Sequence, residues 1–328
     1  MSENQVIYQP DITAHLEQAR DLSWQHFGKK ISFYLPGMFT YNDMTGRYPA
    51  VSITGDECAL MCDHCKGKIL SDMVRTDTPD LLVETCQKLE KKGMIGVLIT
   101  GGCNSKGELP WEQFIHAVKK IKETTRLLVS VHSGFVNGDQ AREMKEAGVD
   151  QALIDVIGDK DTFETIYHLP FGPKQMEQCL FRLVDAGIEV VPHIVCGLNH
   201  GRIQGEADAV SIVSLFDVKK LVIVSLMRLT GTPLHKSILP GTIDVANIIV
   251  KARMKMPATK INLGCARRRG DVSLEVLAVK AGINSIALPS DEAIQQAEEY
   301  HLDIRYQKTC CSVSADFSTP GWQLTAEK

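Results

Sequence analysis

The chain has 328 residues, 44% hydrophobic and 23% charged, with a net charge of −4 at pH 7. That balance excludes disorder and fits a globular chain large enough for one barrel or two domains. The mild acidity, with charges dispersed rather than in runs, leaves no footprint for DNA or RNA. No apolar stretch approaches membrane-spanning length, and the polar start Met-Ser-Glu-Asn-Gln lacks the basic and apolar parts of a secretory leader. A cytoplasmic location with no membrane partner is therefore expected, and ten cysteines in such a chain read as reduced thiols and metal ligands rather than disulfides.

Residues 1–49 are expected to form an N-terminal cap, with a helix over Ile12 to Phe27 and a short strand from Ile31 that ends at Pro36-Gly37. From residue 50 short apolar runs alternate with amphipathic stretches, the pattern of parallel β/α units. The strands are placed at Ala50 to Thr54, Gly96 to Thr100, Leu127 to His132, Gln151 to Ile157, Glu189 to Cys196, Leu221 to Leu226, Lys260 to Leu263 and Ser285 to Ala287. Eight such strands predict an α/β (β/α)8 TIM-type barrel over residues 50–289, followed by an extension over 290–328 with a helix to Tyr300 and a strand at Ile304 to Gln307. Between them, Thr78-Pro79-Asp80 supplies a cap, a first-turn proline and an acid at the positive end of a helix. Ala147-Gly148, Ala186-Gly187 and Ala281-Gly282 repeat one helix-ending device before a β-branched residue. Cys86 and Cys179 fall inside helical runs and read as packing residues.

Directly after the first barrel strand comes Cys58-Ala-Leu-Met-Cys62-Asp-His-Cys65. Three thiols spaced C-x3-C-x2-C can hold three corners of a cubane iron-sulfur cluster, which leaves the fourth iron without a protein ligand, as in a catalytic rather than a structural centre. A zinc knuckle is the alternative, with His64 as its only nearby fourth ligand. Active sites of such barrels lie beyond the carboxyl ends of the strands. Candidates there are Gly101, Gly102 and Cys103 after the second strand, His132 and Ser133 after the third, Asp155 in the fourth, His193 in the fifth and Arg228 after the sixth. Each polar group has the alternative of an ordinary loop or core hydrogen bonder, and Arg228 that of a surface salt bridge.

The cysteine motif resembles that of the radical S-adenosylmethionine (SAM) superfamily, and the stretch from Val51 to about Pro289, with Gly231-Thr-Pro-Leu and Ala281-Gly-Ile-Asn-Ser-Ile, resembles its biotin synthase branch. The resemblance implies a 4Fe-4S cluster on Cys58, Cys62 and Cys65, whose open iron takes the amino and carboxyl groups of SAM. It also implies SAM contacts at His64, Gly101, Gly102, His132, Ser133, Asp155, His193 and Arg228. His64 stands where the family usually carries an aromatic group against adenine, with a solvated loop histidine as the alternative. The interior cysteines of biotin synthase are missing from Leu127 to His132 and Gln151 to Ile157, and Asn262 stands at its arginine position.

Cys103, Cys265, Cys310 and Cys311 are instead expected at one end of the barrel as ligands of a probable second 4Fe-4S cluster, with Ser312 as a weaker ligand; unrelated reduced thiols are the alternative. The chain is thereby most similar to the biotin synthase-like proteins that form half of a two-component lipoyl synthase. Such a sulfurtransferase inserts sulfur into an octanoyl chain on a carrier protein or peptide, working with a second radical SAM subunit and an electron donor such as ferredoxin or flavodoxin. A carbon-skeleton mutase or a biotin synthase-like enzyme acting on a small molecule is the rival. In the basic run Arg267-Arg268-Arg269, Arg267 is the candidate substrate contact, and a solvated charged loop the alternative.

Overall fold

The computed structural model describes residues 12–318 apart from residues 42, 43 and 269. Its strands are β1 (Lys30–Tyr34), β2 (Thr40–Tyr41), β3 (Met44–Thr45), β4 (Ala50–Ser52), β5 (Val74–Arg75), β6 (Gly96–Thr100), β7 (Leu128–His132), β8 (Gln151–Asp155), β9 (Glu189–Cys196), β10 (Lys220–Ser225), β11 (Lys260–Leu263), β12 (Ser285–Ala287) and β13 (Asp303–Gln307). The helices are α1 (Thr13–Phe27), α2 (Pro79–Lys91), α3 (Trp111–Thr124), α4 (Gly138–Glu146), α5 (Lys160–Thr165), α6 (Pro173–Asp185), α7 (Glu206–Val213), α8 (Thr242–Lys255), α9 (Val272–Lys280) and α10 (Asp291–Glu299).

Eleven of the strands form one parallel sheet in the order β13-β1-β12-β11-β10-β9-β8-β7-β6-β4-β5. The eight expected barrel strands run through it in sequence, as a TIM-type β/α fold requires. Among the described residues no pairing joins β5 to β13, so the sheet is a curled half-barrel with two ends. The segments expected as cap and tail share that sheet. Ser32 pairs with Ser285 on one side and with Arg305 on the other, which puts β1 between β12 and β13.

Local chemistry explains the helices. The Thr78 side chain accepts from Leu81 N at 3.3 Å, and Pro79 begins α2. On α6, Met176, Cys179, Leu180 and Leu183 recur at one helical face and are buried, each large apolar side chain contributing roughly 1.5–3 kcal/mol by leaving water. Cys86 is likewise fully buried. The three Ala-Gly helix ends hold their glycines at φ of 87°, 76° and 71°.

Side chains of period 2 divide the strands into an outer set under the helices and an inner set facing the lumen. Leu153, Val191, Val222, Val224, Tyr34 and Ala287 form one inner apolar cluster, and Cys311 belongs to it. The segment after β13 therefore turns back into the barrel. Among the described residues no helix is long and apolar enough to cross a membrane.

Candidate functional site

The cysteine loop leaves the carboxyl end of β4 and is fastened to the loop after β6. Ala59 N and Leu60 N donate to the Cys103 carbonyl at 2.8 and 3.1 Å, and the Cys58 thiol points at the same oxygen. Thr54 Oγ1 accepts from Gly102 N at 2.7 Å and donates to the Glu57 carbonyl at 2.9 Å. Gly102 leaves no room for a side chain, since a Cβ there would lie 2.6 Å from Cys58 Cα. The glycine pair expected to approach a ligand thus has a second task, which is to let the two loops lie against one another.

Within the loop Met61 and Lys66 hold positive φ values of 48° and 46°, a backbone cost that the surrounding hydrogen bonds must offset. Asp63 is the anchor: its N–H donates to the Ile166 carbonyl at 2.9 Å, and its carboxylate meets Lys66 at 2.9 Å and His168 at 3.0 Å. Cys62 and Cys65 are buried and Cys58 is half-buried. The hydrogen bond from Cys62 holds the Cys65 thiol down at about 4 against the effect of burial, with His64 assisting, while the same bond raises Cys62. Among the described residues no three Cys, His, Asp or Glu side chains converge on a single metal ion. Soft sulfur donors on one short loop, with an open side, fit a cubane three of whose four irons each take one thiolate.

Facing this loop are the ends of β7, β8 and β9. The His132 and His193 rings lie 5.9 Å apart, and Asp155 pairs in register with His193. His193 Nδ1 lies 3.0 Å from the Val191 carbonyl, and burial, then His132, lowers its pKa to about 4. The His64 ring tilts over Tyr167 with centroids 5.4 Å apart. Burial works against charge on His64, yet the hydrogen bond to Cys65 raises its pKa overall. His64 Nδ1 and the Tyr167 hydroxyl are both buried without a partner, which marks them as groups awaiting something polar. Burial, then the charges of Asp155, Cys62 and Cys65, pushes the Tyr167 phenol well up. Sequence reasoning missed Tyr167 because the stretch after α5 carries no pattern. It also missed Glu206, whose buried carboxylate accepts from Gly197 N and Gln204 N at 2.7 Å each and so fixes the turn after β9.

Four expectations change. Ser133 is fully buried, and its hydroxyl donates to the Gly134 carbonyl at 3.0 Å, so it shapes the loop after β7. Arg228 is exposed and spends its Nε on the Ser237 carbonyl at 2.8 Å, within its own loop. Arg267 is not a surface group: it is 1% exposed, donates to the carbonyls of Gly264, Ala287 and Leu288, and pairs with Glu275 at 2.6 Å. With both terminal nitrogens bonded and only the buried Nε left without a partner, this guanidinium braces the carboxyl ends of β11 and β12 rather than reaching out to a substrate carboxylate. Arg269, from the same run, lies outside the described residues. Cys103, lastly, belongs with the first loop; burial and then Cys58, Cys65 and Asp155 raise its thiol to about 12.

The other three thiols do meet. Cys311 is within hydrogen-bonding reach of Cys265 and Cys310, bonds that with burial push it well up. Cys310 is held down to about 6, first by its bond with Cys311 and further by Ser312, whose hydroxyl lies 3.1 Å from the Cys310 sulfur. Asn262 Nδ2 donates to the Cys311 carbonyl at 2.9 Å, inside the lumen as its strand position required.

A curled parallel barrel with three thiols on the loop after its first strand defines a radical SAM domain, and residues 52–206 match the model of the Radical SAM superfamily. Residues 52–206 are thus a radical SAM domain, and the chain is similar to the biotin synthases. It is 24% identical over 241 residues to biotin synthase of Leptothrix cholodnii, covering 72% of this chain and 69% of that protein. With biotin synthase of Methylococcus capsulatus it shares 25% over 248 residues, 72% of this chain and 73% of that one. Among solved structures, methylornithine synthase superposes with a TM-score of 0.61 at 17% identity, covering 89% of both chains. The FeFe-hydrogenase maturase HydG from Carboxydothermus hydrogenoformans gives 0.65 at 14%, over 89% of this chain and 71% of that one. At these identities the two structures speak for the fold alone.

Proposed function

We propose that this radical SAM enzyme is a sulfurtransferase of the lipoyl type, which attaches sulfur to an octanoyl chain carried on a lysine. The observation that carries the reading is the meeting of Cys265, Cys310 and Cys311, in contact with the lumen wall, while Cys58, Cys62 and Cys65 remain on a separate loop. Two sets of thiols facing one barrel are what a radical generator and a sulfur donor need. When bound, the first cluster would supply the electron that cleaves SAM to a 5'-deoxyadenosyl radical, and the second would supply the sulfur and take up the one electron released as a carbon–sulfur bond replaces the carbon–hydrogen bond.

The chain's own residues would do the rest. Cys58, Cys62 and Cys65 hold the SAM cluster, and Cys265, Cys310 and Cys311, with Ser312 beside them, hold the second. His64 and Tyr167 offer flat and polar surface to SAM, with Gly101 and Gly102 allowing its approach. His132, Asp155 and His193 line the path between the two thiol sets, and the apolar wall of Leu153, Val191 and Val222 excludes water from a carbon radical. An octanoylated carrier protein or peptide would be the substrate, a ferredoxin or flavodoxin the electron source, and a second radical SAM subunit the partner.

Anaerobic Mössbauer and iron/sulfide analysis of the reconstituted protein beside Cys58→Ala/Cys62→Ala/Cys65→Ala tests this. A four-iron cluster retained by the triple variant, followed by sulfur transfer to an octanoyl-lysine peptide, is expected. Loss of all cluster iron would overturn the reading and leave a carbon-skeleton mutase.

A further inference from the structure

A lysine begins β10 on its lumen side, where a parallel barrel ordinarily carries an aliphatic residue. Lys220 is 2% exposed, and it forms no ion pair with a carboxylate among the described residues. A buried ammonium is costly unless its donors are filled. Here Nζ donates to the carbonyls of Cys311 (3.2 Å) and Val313 and sits 5.5 Å from the centroid of the Tyr34 ring. The Cys311 carbonyl accepts a second bond from Asn262, which uses both of its lone pairs.

The neighbouring strands treat the same segment alike. Gln151 of β8 donates to Ser314 Oγ at 3.2 Å, Ser314 in turn reaches Glu189 of β9, Gln307 of β13 accepts from Phe317 N at 2.9 Å, and Arg305 pairs with Asp316. Residues 311–317 are thus stitched to polar side chains of at least five strands, from a buried start at residues 311–313 to an exposed Asp316. Bonds from this many strands fix the depth of the segment as well as its position.

We propose that this segment is a fixed insert and that Lys220 is the positioning residue that sets Cys310 and Cys311 at the depth of Cys265. The inference rests on the reading of a second cluster at these thiols. It also sets an amino group behind them, which when protonated offsets the negative charge that iron-bound thiolates bring into a low-dielectric lumen.

The test uses the full chain, reconstituted with iron and sulfide, as wild type, Lys220→Met and Asn262→Leu, each also in the Cys58→Ala/Cys62→Ala/Cys65→Ala background. Iron is quantified by Mössbauer spectroscopy, and the insert is probed by tryptic cleavage after Lys308. In Lys220→Met the SAM cluster should persist, the second cluster's iron should be lost, and cleavage should quicken by roughly tenfold or more, as local opening becomes easier. Asn262→Leu, which removes a bond to the same carbonyl without removing charge, should move both readouts the same way by less, and it carries the test should Lys220→Met fail to fold. Wild-type iron at both sites with wild-type cleavage in both variants would overturn the proposal. If the triple variant binds no cluster even with Lys220 intact, sulfur insertion falls, and the cleavage rates alone then decide whether Lys220 holds the insert.

Discussion

Arg267 teaches the most at the scale of single residues. In sequence, three consecutive arginines past a barrel strand look like a binding loop. The true acceptors of Arg267, the carbonyls of residues 287 and 288 and the carboxylate of Glu275, lie in elements that only tertiary folding brings near. Arg267→Ala should lower stability by about 3–5 kcal/mol, since Glu275 would be left buried and unpaired, and a denaturant midpoint checks it; a normal midpoint with impaired substrate binding would reverse the assignment. His193 makes a pH prediction. Its folded pKa of about 4 lies below the ordinary value near 6.5, so the unfolded chain binds a proton that the folded chain refuses. Stability from this residue is complete above about pH 6.5 and falls by up to about 3 kcal/mol as pH drops to about 4. Denaturation of the metal-free protein at a series of pH values should show that slope, and it should flatten in His193→Gln.

The cysteine loop and the loop after β6 act as one element. Gly102→Ala should force them apart, and the expected outcome is loss of SAM-cluster iron from a protein whose far-ultraviolet circular dichroism is unchanged; retained iron would show that the contact gives. At the cap of α2, Thr78→Ala should cost about 1 kcal/mol, readable as a shift in midpoint without loss of iron. Elements of this kind were legible beforehand. The Thr-Pro-Asp start of α2, the Ala-Gly helix ends and the eight apolar runs are local signals, and the helices and strands they predict are present. The Cys58, Cys62 and Cys65 motif was legible for the same reason, its spacing being contained in one loop. The sorting of the remaining thiols was not. Cys103 and Cys265 each follow a barrel strand, and nothing local distinguishes the one that lies against Cys58 from the one that meets Cys311.

For the molecule as a whole, the sheet has a seam. Its wall is completed on that side by β1 and β13, which sequence alone assigns to a cap and a tail because their pairing partners are far away along the chain. Removal of residues 308–328 should leave β13 paired but empty the lumen of its insert, so the truncated protein is expected to bind a hydrophobic dye and melt at a lower temperature; an unchanged melting profile would mean that the insert adds nothing to the core. The seam has a further consequence for how the protein is made. Ser32 lies between Ser285 and Arg305, so a strand that leaves the ribosome early has no place to go until β12 and β13, more than 250 residues later, have emerged. The wall that shelters both thiol sets is complete only once residues 303–307 have emerged, and iron should enter after that point rather than before it.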